Sequence, residues 1–135
     1  MGRLRPSQRV RGTAEFRRAQ RLGKKLVAPN FVLLVYARDE DDRGPARLGL
    51  VVSKRVGNAV RRNRVKRLIR EAFRSLQQLR APGIDFLFIA RPTLAEPGIH
   101  QLLHDVEALE QPIGRRVQLA RREREIRQSR LAKQS

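Results

Sequence analysis

Residues 53–74 read SKRVGNAVRRNRVKRLIREAFR, and two patterns run through them at once. Val65, Leu68, Ile69, Ala72, Phe73, Leu76 and Leu79 recur in steps of three and four, the spacing that gives an α-helix one apolar side. At 100° per residue, Asn63, Lys66, Arg67, Arg70 and Arg74 fall together on the opposite side. Between Lys54 and Arg74 there are nine Lys or Arg residues and a single acid, Glu71. Solvated helices ordinarily set Glu against Lys at i, i+4, because opposite charges on one face help each other. Here cations repel one another along a rigid rod, an arrangement that a polyanion relieves. From Asn63 to Arg74 the row extends about 16 Å at 1.5 Å per residue, enough to follow several phosphates. Arg outnumbers Lys, and guanidinium forks match phosphate oxygens and stack on bases.

The flanking segments place this helix against a sheet. Phe31 to Arg38 (FVLLVYAR) and Arg47 to Ser53 (RLGLVVS) carry the aromatic, β-branched and aliphatic residues of strands. Between them, DEDDRGP reads as an exposed hairpin loop with turn chemistry at Gly44-Pro45. Asp85 to Ala90 (DFLFIA) is apolar throughout, as expected of a strand inside a sheet. A short extended piece is expected near Leu26-Val27. Thr13 can cap a first helix with Glu15 in its first turn, running through Phe16, Ala19 and Leu22 to Gly23. The basic helix spans Gly57 to about Leu79 and stops at Ala81-Pro82-Gly83. Pro97 suits the first turn of a last helix with Ile99, Leu102, Leu103, Val106 and Leu109 on its apolar side, closed by Pro112. The order is α-β-β-β-α-β-α, an α+β sandwich with helices on one face of a small mixed four-stranded sheet.

Composition narrows the partners. The 135 residues include 31 basic and 13 acidic side chains, a net charge of +18, and the pI is near 11.9. That balance points to nucleic acid first and an anionic membrane surface second. Hydrophobic residues make up 40%, so the chain is more than a basic tail. One domain over residues 1–112, with a basic N-terminal arm, accounts for the clustered apolar residues. Residues 113–135 form a basic tail with weak periodicity, either a charged helix or a disordered segment. No apolar run approaches the roughly 18 residues needed to span a bilayer. MGRLRPSQRVRG at the N-terminus has charge without an apolar stretch, so a cytoplasmic location is expected. Cysteine is absent, which excludes disulfides and thiolate zinc sites.

Few residues suit catalysis. Gly57-Asn58 either caps the basic helix or lets backbone N–H groups approach a phosphate. His100 and His104 stand one turn apart with Glu107 on the same face, a spacing that can hold a metal, though without an HExxH pattern. A calcium loop started at Asp39 fails, because Arg43 stands at a ligand position and Leu50 replaces the closing Glu. The chain carries no GxGxxG, Walker loop, GxSxG or Cys nucleophile. No catalytic residue and no metal ligand is therefore assigned.

Residues 48–73, LGLVVSKRVGNAVRRNRVKRLIREAF, resemble the protein subunit of bacterial ribonuclease P. The signature is Arg62-Asn63-Arg64 followed by Lys66-Arg67 and Arg70; the basic N-terminus, Phe16, FVLLVYAR and DFLFIARP are also similar. The resemblance covers roughly residues 9–110. It implies a fold like ribosomal protein S5 domain 2, with a left-handed β-α-β crossover over residues 47–90. General experience favours the right hand in about 98% of such units. It further implies a non-catalytic subunit of an endoribonuclease whose RNA removes the 5′ leader of precursor tRNA with Mg2+ held at the RNA active site. The implied partners are that catalytic RNA and precursor tRNA, in a complex of one protein monomer with one RNA and no membrane.

Carried over position by position, Arg62, Asn63, Arg64, Lys66, Arg67 and Arg70 would face the RNA, with Lys54, Arg55 and Asn58 at the edge of that surface, and the periodicity adds Arg74. Phe16 would line a leader cleft together with Leu34 and Tyr36. The family commonly has aromatics where this chain has Gln20 and Leu34, and Tyr36 is either a substitute stacking platform or a packing residue. A ribosomal-type RNA-binding module shares the charge and fold, and a lone nuclease would hang on His100, His104 and Glu107.

Overall fold

The computed structural model describes residues 9–10, 12–39, 43–92 and 98–134. Pro97, most of the acidic run after Asp39, the first eight residues, and the side chains of Thr13 and His100 lie outside the described residues. Helix α1 (Gly12–Leu22) leads into strands β1 (Lys24–Val27), β2 (Phe31–Ala37) and β3 (Arg47–Val51). A single 3-10 turn, Lys54–Val56, precedes α2 (Ala59–Ser75); another, Gln77–Arg80, leads to β4 (Ile84–Ala90). Helices α3 (Gly98–Ala108) and α4 (Glu110–Gln134) follow.

The sheet order is β1-β2-β4-β3, with β3 and β4 parallel and the other pairs antiparallel. Parallel neighbours require a crossover, and α2 supplies it. β4, the apolar run, lies between β2 and β3 and buries both of its faces.

Alternation along the strands divides the apolar residues into two cores. Leu33, Val35, Leu48, Phe86 and Phe88 face α2, α3 and α4 and pack with Val65, Ile69, Phe73, Leu102, Val106 and Ile113. Phe31 stacks on Phe88 with ring centroids 4.5 Å apart, and Phe73 meets Phe86 edge-on at 6.4 Å. On the other face Leu34, Tyr36 and Leu87 pack with Ala19, Phe16 and Leu22 of α1. The expectation that helices cover one face only is thus corrected, because strands apolar on both sides need a second cover.

At one end of the sheet lies a buried ionic knot. Asp85, 2% exposed, accepts from Arg38 Nη1 at 2.7 Å and takes a two-pronged bond from Arg47 Nε and Nη2, each at 2.7 Å. Arg38 also donates to the backbone carbonyls of Ile84, Gly44 and Pro45. Hydrogen bonding to Asp85 holds the Arg47 guanidinium above its ordinary pKa against the opposing effect of burial. The knot ties β2, β3 and β4 to the loop before β3.

Helix α3 stops at Ala108, and Pro112, expected to end it, stands in the first turn of α4. There proline removes no helical hydrogen bond, because the first N–H groups of a helix have no partner within it. α4 runs 25 residues and buries Ile113, Val117 and Ala120 in the larger core.

Candidate nucleic-acid interface

Helix α2 is built to present one side. Asn58 caps it, its Oδ1 accepting from the Arg61 N–H at 2.9 Å. This is the capping role foreseen for Gly57-Asn58. Gly57 has φ of +150°, and a Cβ there would stand 2.6 Å from Arg61 Cδ, so the turn into the helix needs glycine. Val65, Ile69, Ala72 and Phe73 are buried. Leu68 is only half-buried, so Ile69 is the deeper anchor.

The other side carries the expected cations. Lys54 and Arg55 are exposed on the turn before α2, as are Asn58 at its cap and Asn63, Arg64 and Arg67 along it. Arg62, Lys66, Arg70 and Arg74 are half-buried. Arg62 Nε is shielded from solvent with no hydrogen-bond partner among the described residues. Burial and the charges of Arg9 and Arg74 push the Arg70 guanidinium below its ordinary pKa. Cations are thus crowded here without enough anions to offset them.

Arg9 arrives from the N-terminal segment. It forms a parallel bridge with Leu48 on the outer edge of β3, and the Val10 N–H donates to the Leu48 carbonyl at 3.2 Å. Because β3 is an edge strand, α1 and α2 on opposite faces both reach it. Arg9, Val10, Phe16, Leu48, Gly49, Leu50 and Arg70 line one opening of about 270 Å³ there. Gly49 makes room for the ring: a Cβ would lie 3.0 Å from Phe16 Cζ and 2.9 Å from Leu87 Cδ1. The structure therefore joins the aromatic of α1 to the cation row of α2.

Leu34 and Tyr36 do not share that opening. They are 6% and 4% exposed within the α1-side core, and Arg127 of α4 lies over the Tyr36 ring at 5.0 Å. Both faces are covered by protein, so Leu34 does not line a stacking cleft beside Phe16, and Tyr36 takes the packing role of its two alternatives. Tyr36 instead borders a separate polar depression of about 520 Å³ with Glu15, Arg18, Arg38, Asp39, Arg47 and Asp85. His104 and Glu107 are exposed, and among the described residues no group of three His, Cys, Asp or Glu is placed to hold a metal. No described helix is long and apolar enough to cross a membrane.

Three features escaped sequence reading: Arg9 beside Arg70, the Asp85 knot, and the docking of α4. Only the last left a signal, Ile113, Val117 and Ala120 at steps of four and three.

The family model for ribonuclease P matches residues 4–114. The chain belongs to the ribonuclease P protein family. It is 44% identical over 88 residues to the ribonuclease P protein component of Shouchella clausii (strain KSM-K16), covering 65% of this chain and 70% of that one. To the component from Bacillus cereus (strain B4264) it is 40% identical over 93 residues, 69% of this chain and 79% of that one. Among solved structures, the ribonuclease P protein of Staphylococcus aureus is similar at TM-score 0.64 and 33% identity, over 75% of this chain and 90% of that one. The protein of Thermotoga maritima is similar at TM-score 0.63 and 30% identity, over 79% and 96%. The mixed sheet with its crossing α2 is thus the ribonuclease P protein fold. The family match ends at residue 114, so most of α4 lies beyond it.

Proposed function

We propose that this chain is the protein subunit of a ribonuclease P whose RNA performs the cleavage. In this reading α2 docks on the catalytic RNA, and the opening at the β3 edge receives the 5′ leader of precursor tRNA. The observation that carries it is the solvent side of α2, where Asn63, Arg64, Lys66, Arg67, Arg70 and Arg74 follow one another with Glu71 the single acid of the helix. Such a row neutralises phosphates and releases their counterions on binding. At the β3 edge, Phe16 offers one aromatic face and Arg9 and Arg70 offer charge. Stacking contributes about 1–3 kcal/mol per base. With Leu34 and Tyr36 covered, one platform remains there, and the grip on the leader is mainly electrostatic.

In this reading the magnesium ions belong to the RNA. The chain supplies no acid, base or nucleophile. It acts as a monomer in the cytoplasm, one copy per RNA, and shortens the search for a productive substrate pose by holding the leader.

The test is reconstitution. RNA-free protein should leave precursor tRNA intact, and addition of the ribonuclease P RNA from the same genome with magnesium should release the leader. If about six phosphates are neutralised, log affinity for that RNA should fall against log salt with a slope near −4 to −5. Cleavage by rigorously RNA-free protein, lost in His104→Ala, would replace this reading with a lone nuclease. Equal affinity for ribosomal and ribonuclease P RNAs, with no stimulation of cleavage, would replace it with a general RNA-binding module.

A further inference from the structure

We propose that α4 is a second RNA-docking helix, which grips the phosphate backbone of a double-stranded segment of the partner RNA. The proposal rests on the reading of the chain as an RNA subunit's partner and adds a surface beside β1 and β2.

Seven of the eight cations of α4 divide into two sets, and the eighth, Arg124, is half-buried. Arg116 donates to the Lys25 carbonyl at 3.1 Å, Arg121 to the Pro82 carbonyl at 3.2 Å and Arg127 to the Ala37 carbonyl at 2.9 Å. With the Lys24–Glu123 ion pair, these bonds fasten the helix to β1, to the end of β2 and to the turn before β4. The second set, Arg115, Arg122, Arg130 and Lys133, is exposed. At 100° per residue all four lie within a sector of about 80°, on the side away from the buried stripe of Ile113, Val117 and Ala120. Glu125 is the one acid left beside that row, because Glu123 is drawn toward Lys24.

Arg115 to Lys133 covers about 27 Å along the axis at 1.5 Å per residue. α4 has no Phe, Tyr or Trp, so it lacks the stacking platforms that hold unpaired bases. A long cationic face without aromatics suits duplex backbone, which is recognised by shape and charge. Docking fixes the helix before RNA arrives, so a rigid row is presented without the entropy loss of ordering a free tail. The contacts of α4 run over β1, β2 and the Gln77–Arg80 turn, whereas α2 crosses between β3 and β4. The two rows therefore engage separate RNA segments.

The full chain carrying R115E, R122E and K133E should keep its thermal midpoint and helicity. Its affinity for the ribonuclease P RNA from the same genome, and for a 24-base-pair RNA duplex of arbitrary sequence, should fall by at least about tenfold. The salt slope should become shallower by about 2–3, near 0.9 for each duplex phosphate no longer neutralised. A scattered reversal of the same charge, R17E, K25E and R43E, controls for net charge and should change the slope by less than 1. The Gln versions at 115, 122 and 133 serve if the Glu triple unfolds. Unchanged affinity and slope in the α4 variants, beside a loss in Arg67→Ala, would overturn the α4 proposal and leave the proposed function standing. No change in either would overturn both. Equal losses in the α4 and scattered triples would reduce α4 to bulk charge. Loss of binding to vesicles with 30% phosphatidylglycerol, with RNA affinity intact, would assign the face to anionic lipid instead.

Discussion

α2 and α4 are both strongly basic helices on the same side of the sheet, and they use their cations differently. On α2 the inner side is aliphatic and aromatic, with Val65, Ile69 and Phe73 buried, and Arg64 and Arg67 are exposed on the outer side. On α4 the inner side has only Ile113, Val117 and Ala120 buried, and docking is completed by guanidinium bonds to carbonyls of the sheet and of the turn before β4. One of these is instructive. β1 begins at Lys24 opposite Val35, so β2 continues past it with no β1 neighbour at Ala37, and Arg127 fills the gap by donating to that carbonyl while covering Tyr36. A cation near a free strand edge can thus be a structural residue, whereas one facing away from the sheet awaits a partner. Charge alone does not separate the two.

That difference can be broken at its strongest point first. Ile113→Ala should lower stability by about 2–5 kcal/mol, as Ile69→Ala should in α2, in urea denaturation followed by circular dichroism. A change within about 0.5 kcal/mol at Ile113 would mean that α4 is not part of the core. Arg127→Ala should cost about 1–2 kcal/mol, because it removes both the carbonyl bond and the cation over the Tyr36 ring. Arg122→Ala, on the same helix but outward, should stay within about 0.5 kcal/mol; equal losses would erase the division of the α4 cations.

Asn58→Ala removes the α2 cap and should cost about 1 kcal/mol, read from the denaturation midpoint at unchanged slope. Arg67→Ala should have the smallest effect on stability, within about 0.5 kcal/mol. In RNA titrations at several salt concentrations it should make the slope shallower by about 1. A large loss of stability in Arg67→Ala would show that the outer side of α2 holds the fold together.

How far the sequence could be read depended on the range of the interactions involved. The α2 stripe, its cap at Asn58 and the apolar β4 were legible because helix periodicity, capping and strand burial are expressed within a few residues. Of the residues that the periodicity places on the outer side, Asn63 and Arg67 are exposed and Lys66, Arg70 and Arg74 are half-buried. Leu34 and Tyr36 were not legible. Period-two alternation set them on one face of β2, but only the arrival of α1, and of Arg127 from 90 residues beyond Ala37, decided that this face is covered. Asp85 looked like the polar first residue of a strand until Arg38 and Arg47 met it from two other segments of the chain.

The sequence by itself determined that a basic amphipathic helix sits between two strands and seeks a polyanion, because charge and periodicity are local properties of the chain. Only the tertiary structure decided which cations remain available. Arg9 and Arg70 converge with Phe16 because an edge strand is reached from both faces. Arg116, Arg121 and Arg127 are bound to carbonyls because the sheet and its loops leave those groups open. The partner of each guanidinium is set by where distant backbone ends, and no local pattern carries that information.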